Sequence, residues 1–279
     1  MSTVTITAAE INKLRQETGA GVMDCKKALT ETNGDFEAAI DYLRKKGAKI
    51  AANRSDREAN EGVVVALTST DGKFGCAVNL SSETDFVAKN EDFINLAKAI
   101  ADVALAGRIK SLEDLQNAQL DGLSIKDKLL ETVAKIGEKI EVKKYEVVEG
   151  EGVVAYIHMG YRMGVLVQLN QALTDEKTTA GKDVAMQIAA MNPVAVDASG
   201  VSDEMKTRER AIAREKAIAA GKPENILDKI ADGAVNTMLK ENTLLPQPFV
   251  KDGSKTVEQY LKSVDKDLTV VTFKRITLS

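Results

Sequence analysis

The sequence predicts an α+β fold, and three patterns carry that prediction. Helix caps and breakers punctuate the first fifty residues, a strand pair followed by a helix occurs twice in the middle, and two charged helical stretches meet at a tight turn between residues 201 and 244. A chain of 279 residues can form two or three such compact units.

Thr7 is the expected N-cap of a first helix with Ile11 and Leu14 on its apolar side, and Glu10 completes a capping box. Gly19-Ala20-Gly21 breaks that helix. The next has Met23, Ala28 and Leu29 as its apolar residues, with Asp24 near its positive end. Asn33-Gly34 ends it, and Asp35 caps a third helix bearing Ala38, Ala39, Tyr42 and Leu43. Three helices in so short a stretch bury little core, so one face is expected to be free for docking. Residues 45–61 carry Lys45, Lys46, Lys49, Arg54, Asp56, Arg57 and Glu58 with little apolar pattern, which predicts a helical or flexible linker.

From Glu61 the pattern turns to strands and repeats itself. Glu61-Gly62-Val63-Val64 recurs as Glu151-Gly152-Val153-Val154, Gly75 recurs as Gly164, and Ala97, Ile100 and Ala101 recur as Ala185, Ile188 and Ala189. The spacing shortens by one residue at each later anchor (61 to 151, 75 to 164, 97 to 185). Each half is therefore expected to be a hairpin followed by helices, one α+β unit duplicated. Between residues 201 and 244, Gly221-Lys222-Pro223 turns one helix into another, and Ile212, Ala219, Ile226, Ile230, Val235 and Met238 supply a thin apolar seam. So sparse a seam predicts a projecting antiparallel coiled coil, ended by Pro246 and Pro248. The alternation in Leu268-Thr269-Val270-Val271-Thr272-Phe273-Lys274-Arg275-Ile276 predicts a last strand that returns to the second half's sheet, making the helical pair an insertion.

One short stretch is harder to place. The strand Phe74, Cys76, Val78, Leu80 runs into Ser81-Ser82-Glu83-Thr84-Asp85-Phe86-Val87, which sets an acid beside a large aromatic at a strand-to-helix turn. The chain has six Phe and no Trp, so the position of each large ring is informative. Phe86 is either a staple over the next helix, packing near Asn90 or Phe93, or a contact residue for a partner. The second half has Gln171-Ala172-Leu173-Thr174-Asp175-Glu176 at the matching turn, with no aromatic, and that asymmetry brings the contact reading level with the staple.

Catalytic and nucleotide-binding chemistry finds little support. His158 is the only histidine, which excludes a two-histidine metal site and a histidine relay. Cys25 and Cys76 are expected to be structural thiols, and no phosphate-cradling glycine motif is present. A net charge of −4 with no basic block argues against direct nucleic-acid binding. No run approaches a membrane span, and Met1-Ser2-Thr3-Val4 lacks the features of a secretory leader, so the expectation is a cytoplasmic protein with no membrane role. No metal or cofactor is expected.

Thr18-Gly19-Ala20-Gly21-Val22-Met23-Asp24-Cys25-Lys26-Lys27-Ala28-Leu29, Thr84-Asp85-Phe86-Val87-Ala88-Lys89 and Gln247-Pro248-Phe249-Val250, in that order, resemble the translation elongation factor Ts family over essentially the whole chain. The resemblance implies a guanine-nucleotide exchange factor for the GTPase elongation factor Tu, which it meets GDP-bound and nucleotide-free, in a one-to-one or two-to-two complex. It is not an enzyme in the bond-making sense. The family's architecture implies a ubiquitin-associated (UBA)-like three-helix domain at 1–47, a linker at 48–60 and a core subdomain at 61–148. A second core subdomain at 149–200 and 245–279 would be interrupted by the coiled-coil hairpin at 201–244. By the same resemblance, Val22, Met23 and Lys26 touch the partner's nucleotide-binding domain. Asp85 and Phe86, flanked by Thr84 and Val87, intrude beside its magnesium site. Ile136, Gly137, His158 and Val250 make further contacts, although His158 reads equally well as a satisfied structural residue. Some family members continue past the last strand with a terminal helix that adds contact. Here Thr277-Leu278-Ser279 closes the sequence, so the expectation is a lower affinity or another surface that compensates. The alternative from another class is an adaptor that holds a protein through the three-helix head. A third possibility is a small-molecule enzyme with its site between the duplicated halves, but no convergent titratable groups support it.

Overall fold

The computed structural model describes residues 5–278; Met1-Ser2-Thr3-Val4 and Ser279 lie outside them. The chain opens with α1 (Ala8–Thr18), α2 (Val22–Glu31) and α3 (Phe36–Asn53). Thr7 and Glu10 close the capping box, Gly19 ends α1 in the left-handed region at φ 67°, and the Asp35 carboxylate accepts the Ala38 N–H. Leu14, Cys25, Ala28, Leu29, Ala39 and Leu43 form the small core of this head. Met23 takes no part in it. It is 74% exposed, because the buried side of α2 is set by Cys25, Ala28 and Leu29. α3 also runs on through Asn53, so the first six residues of the expected linker are helical.

Two strand pairs follow. β1 (Glu61–Thr68) and β2 (Phe74–Ser82) lead into α4 (Asp85–Ala88), α5 (Glu91–Ala106), α6 (Leu112–Asn117), the short pair β3 (Gln119–Leu120) and β4 (Leu123–Ser124), α7 (Ile125–Ile136) and β5 (Glu141–Glu149). β6 (Gly152–His158) and β7 (Met163–Leu169) lead into α8 (Asp175–Met191), a 3-10 turn, α9 (Asp203–Ala219), α10 (Glu224–Asn242), the short pair β8 (Pro248–Phe249) and β9 (Asp252–Thr256), α11 (Val257–Val264) and β10 (Val270–Thr277). The sheets are antiparallel, in the orders β1-β2-β5 and β10-β7-β6, so the last strand does return to the second sheet.

The two sheets pack face to face with helices outside. Val63, Phe74, Cys76, Val78 and Leu80 meet α5 and α7 on one side, and Val165, Val167 and Leu169 meet α8 and α11 on the other. Between the sheets lie Val64, Ala66, Ala77, Val148, Val153, Leu166 and Ile276. β1, β2 and β7 are consequently buried on both faces rather than on alternate residues, which accounts for the unbroken apolar runs Val63-Val64-Val65-Ala66 in β1 and Val165-Leu166-Val167 in β7.

The ladder registers refine the repeat. Val64 pairs with Asn79 and Val153 with Gln168, so the spacing of 64 to 153 equals that of 75 to 164. The Glu-Gly-Val-Val match at 61 and 151 is one residue out of this register. The glycines then do matching jobs. A Cβ on Gly75 would stand 2.7 Å from Val153 Cγ1, and one on Gly164 would stand 2.8 Å from Val64 Cγ1. Each glycine admits the valine of the other hairpin. Gly164→Ala is expected to cost about 1–3 kcal/mol by overpacking. Adding Val64→Ala is expected to cost less than the sum of the two single changes, as read by denaturant unfolding of the four proteins.

α9 and α10 pack antiparallel along Ala213, Ala217, Leu227, Ala231 and Val235. Of the expected seam residues only Val235 is buried. Ala219 is exposed, and Ile212, Ile226, Ile230 and Met238 are half-covered. Small alanines let the two backbones approach, and the larger isoleucines fall to the flanks.

Candidate partner-binding site

The turn after β2 is a single helical turn rather than an open loop. Thr84 stands at the N-cap of α4 in extended backbone, but its hydroxyl does not cap the helix. The Oγ1 donates instead to Glu138 Oε1 at 2.7 Å, and the Thr84 N–H donates to Glu138 Oε2 at 3.1 Å. Ala88 is buried and Val87 is half-buried against the α5 core. These two do the covering expected of a staple, and Phe93 lies deep in the core. Phe86 is left facing outward at 85% exposure. An aromatic ring so exposed contributes next to nothing to its own fold and offers a rigid apolar surface to another molecule. Asp85 holds Lys89 at 2.6 Å one turn on, and that bond and charge keep its carboxyl below the usual range, ionised at neutral pH.

Ile136 and Gly137 close α7. Gly137 has φ 82°, and the space where its Cβ would point is empty, so backbone is presented there without a side chain. Because Glu138 follows directly and binds Thr84, the 136–138 and 84–86 segments meet at one place. Val22, Met23 and Lys26 are exposed at the start of α2, beside the buried line of Cys25, Ala28 and Leu29, with Met23 turned furthest from it. His158 ends β6, half-exposed, with Nδ1 2.9 Å from the Tyr156 hydroxyl. It is thus both satisfied and reachable.

Val250 is 48% exposed at the β8–β9 turn and is held by an amide chain. Its N–H donates to Oε1 of the fully buried Gln187, whose Nε2 donates to Gln247 Oε1 and the Pro248 carbonyl. Phe249 stacks on Tyr260 at 4.2 Å beneath it. In this motif Gln247 and Phe249 anchor and Val250 points outward.

Met159 was not among the sequence candidates. It is 70% exposed in the tight turn Met159-Gly160-Tyr161, where all three residues have positive φ. Two non-glycine residues held in that region are unusual, and the Tyr161 carbonyl is tied down by the Val64 N–H at 2.7 Å. A methionine beside a glycine between two strand runs was the available signal.

Both thiols are buried, and burial pushes Cys76 up to about 12, which leaves it unreactive. Among the described residues no cluster of three His, Cys, Asp or Glu side chains could hold a metal ion, and no helix is long and apolar enough to cross a membrane.

Comparison with known proteins agrees with the motifs. Residues 83–279 match the family described as Elongation factor TS. Elongation factor Ts of Amoebophilus asiaticus is 51% identical over 271 residues, covering 97% of this chain and 98% of that protein. The proteins of the same name from Cytophaga hutchinsonii (50% identical, 99% of each chain) and Porphyromonas gingivalis (48% identical, 98% of each) are similar along the same length. The likeness runs nearly end to end, well beyond the segment the family model covers, and the chain belongs to the elongation factor Ts family.

Proposed function

We propose that this chain releases GDP from elongation factor Tu by setting the Phe86 ring into the partner beside its magnesium-bound nucleotide. As a member of the elongation factor Ts family, the chain is a guanine-nucleotide exchange factor for elongation factor Tu, a soluble factor of translation elongation in the bacterial cytoplasm, and not an enzyme. The observation that carries the proposed mechanism is the 85% exposure of Phe86 on a turn whose other apolar residues are packed inward.

The partner holds GDP through a phosphate loop and a magnesium ion bridging phosphate and protein oxygens. A ring driven between the partner's elements displaces those that order the ion's ligands, and the nucleotide then loses several contacts at once. Asp85, ionised and exposed, accepts hydrogen bonds from partner backbone without reaching the metal. Thr84 and Val87 seat the turn. Val22, Met23 and Lys26 dock the head on the nucleotide-binding domain, and Ile136, Gly137, His158 and Val250 extend the contact. Coupling between nucleotide and factor is reciprocal, so the affinity that expels GDP is also what incoming GTP must overcome to eject the factor.

The finer architecture belongs to the same proposal: a UBA-like head at 1–47, a linker at 48–60, duplicated core subdomains at 61–148 and at 149–200 with 245–279, and a coiled-coil insertion at 201–244. The matched glycine–valine contacts between the hairpins support the duplication. A passive adaptor held by its head would account for Val22 and Met23 but leaves the exposed ring without a role. Stopped-flow release of fluorescent GDP from elongation factor Tu separates the two. The exchange reading requires acceleration that saturates with added chain and is unaffected by Cys25→Ser; binding without acceleration supports the adaptor.

A further inference from the structure

Beyond β2 and β5, where the backbone ladder stops at the Ser81–Glu141 pair, side chains take over the pairing. The Glu83 carboxylate accepts the Lys139 N–H at 2.6 Å, and one residue along on each segment the Glu138 carboxylate accepts the N–H and hydroxyl of Thr84. Each segment thus lends a carboxylate to the other's backbone. Glu83 has a second partner: Arg54 Nη1, at the end of α3, donates to both of its oxygens at 2.7 and 2.8 Å. We propose that Arg54, Glu83 and Glu138 form a clasp that fixes the Phe86 turn to the loop after α7 and to the helix carrying the head, so that head docking and ring insertion act as one rigid unit.

Independent contacts agree. The segment after α3 is no slack tether, since Lys139 Nζ donates to the Ser55 and Arg57 carbonyls and Lys143 Nζ to the Ala59 carbonyl and Asn60 Oδ1. Further up, α3 lies so close to α7 that a Cβ on Gly47 would stand 2.1 Å from the Leu130 carbonyl oxygen, and Arg44 pairs with Glu131 at 3.1 Å. The Glu83 side chain is only 12% exposed, which limits solvent screening of its pair with Arg54. Burial alone would raise the Glu83 carboxyl, but the Lys139 N–H and the Arg54 guanidinium outweigh it and keep the group ionised. A ring that must push into another protein works only if its base does not yield, and two crossed carboxylates with a cationic strut supply that stiffness.

Arg54, Glu83 and Glu138 are positioning residues, and the inference rests on the reading of Phe86 as the inserted group. Its test is stopped-flow release of fluorescent GDP from elongation factor Tu over a range of factor concentrations, with thermal unfolding of each variant alongside. Arg54→Ala and Glu138→Ala are expected to lower the saturating rate by about tenfold, the scale of one charge-assisted hydrogen bond. The half-saturating concentration should shift far less, and Arg54→Lys and Glu138→Gln should recover part of the loss. In the Arg54→Ala background, Met23→Ala should no longer change the saturating rate. Saturating rates within twofold of wild type for folded Arg54→Ala and Glu138→Ala overturn the clasp. If the alanine variants do not fold, the conservative pair decides: an intermediate loss supports the clasp and a wild-type rate overturns it. Phe86→Ala is run in parallel, because an undiminished rate there defeats the insertion reading itself, whereas loss there with none at Glu138 defeats the clasp alone.

Discussion

Phe86→Ala is expected to lower the saturating rate of GDP release by about thirtyfold or more while leaving the fold untouched. Truncating a central aromatic anchor of an interface costs about 2–4 kcal/mol, and each 1.4 kcal/mol is a factor of ten. The ring does not spend that energy on its own chain. At 85% exposure it covers nothing, so the substitution should shift unfolding by no more than about 0.5 kcal/mol. Stopped-flow kinetics and denaturant unfolding of the same preparation check the two halves of this statement. A large kinetic loss beside an unchanged unfolding curve marks a residue that works on another molecule.

Phe74→Ala should do the reverse. This ring is fully buried at the start of β2 in the cluster with Val63, Phe93 and Ile100. Removing a buried phenylalanine costs about 3–5 kcal/mol, because the cavity adds to the lost transfer energy. Against a total of roughly 5–15 kcal/mol, that is a large part of the stability. The Arg108 guanidinium sits 5.8 Å from the ring centroid and pairs with Asp71, so the packing of that corner fails with it. The expected result is a much lower denaturant midpoint with an unchanged slope. Exchange activity measured well below that midpoint should stay near wild type, since the Phe86 turn is built by Thr84, Val87, Ala88 and Glu138.

Local signals were legible in the sequence wherever a residue acts on its neighbours. Thr7 with Glu10, Gly19, Asp35 and the turn at Gly221 each follow from short-range backbone chemistry, and each stands where that chemistry requires. The last strand followed from its alternation, and its return to the second sheet from connectivity. What was not legible depends on partners distant in the chain. Met23 reads as apolar helix face by type, yet the core of a three-helix head has room for only one side of α2. The helical-pair seam slid onto alanines because close backbone approach, not residue size, selects the contact line. The repeat anchor at 61 and 151 was one residue off because side-chain identity does not record ladder register. Phe86 was ambiguous until Val87 and Ala88 were seen to occupy the covering positions. Nothing in the sequence could join Glu138 to Thr84 or Arg54 to Glu83 across so many residues.

The central claim is that Phe86 acts through the partner's magnesium site, and removing that ion tests it most directly. Release of fluorescent GDP from elongation factor Tu would be measured with wild type and Phe86→Ala, in millimolar magnesium and again in excess chelator. If the ring works by undoing the ion's hold, chelation does the same work in advance, and the roughly thirtyfold advantage of wild type should shrink to about threefold or less. An advantage of the same size in chelator would contradict the account, placing the ring's effect elsewhere on the nucleotide.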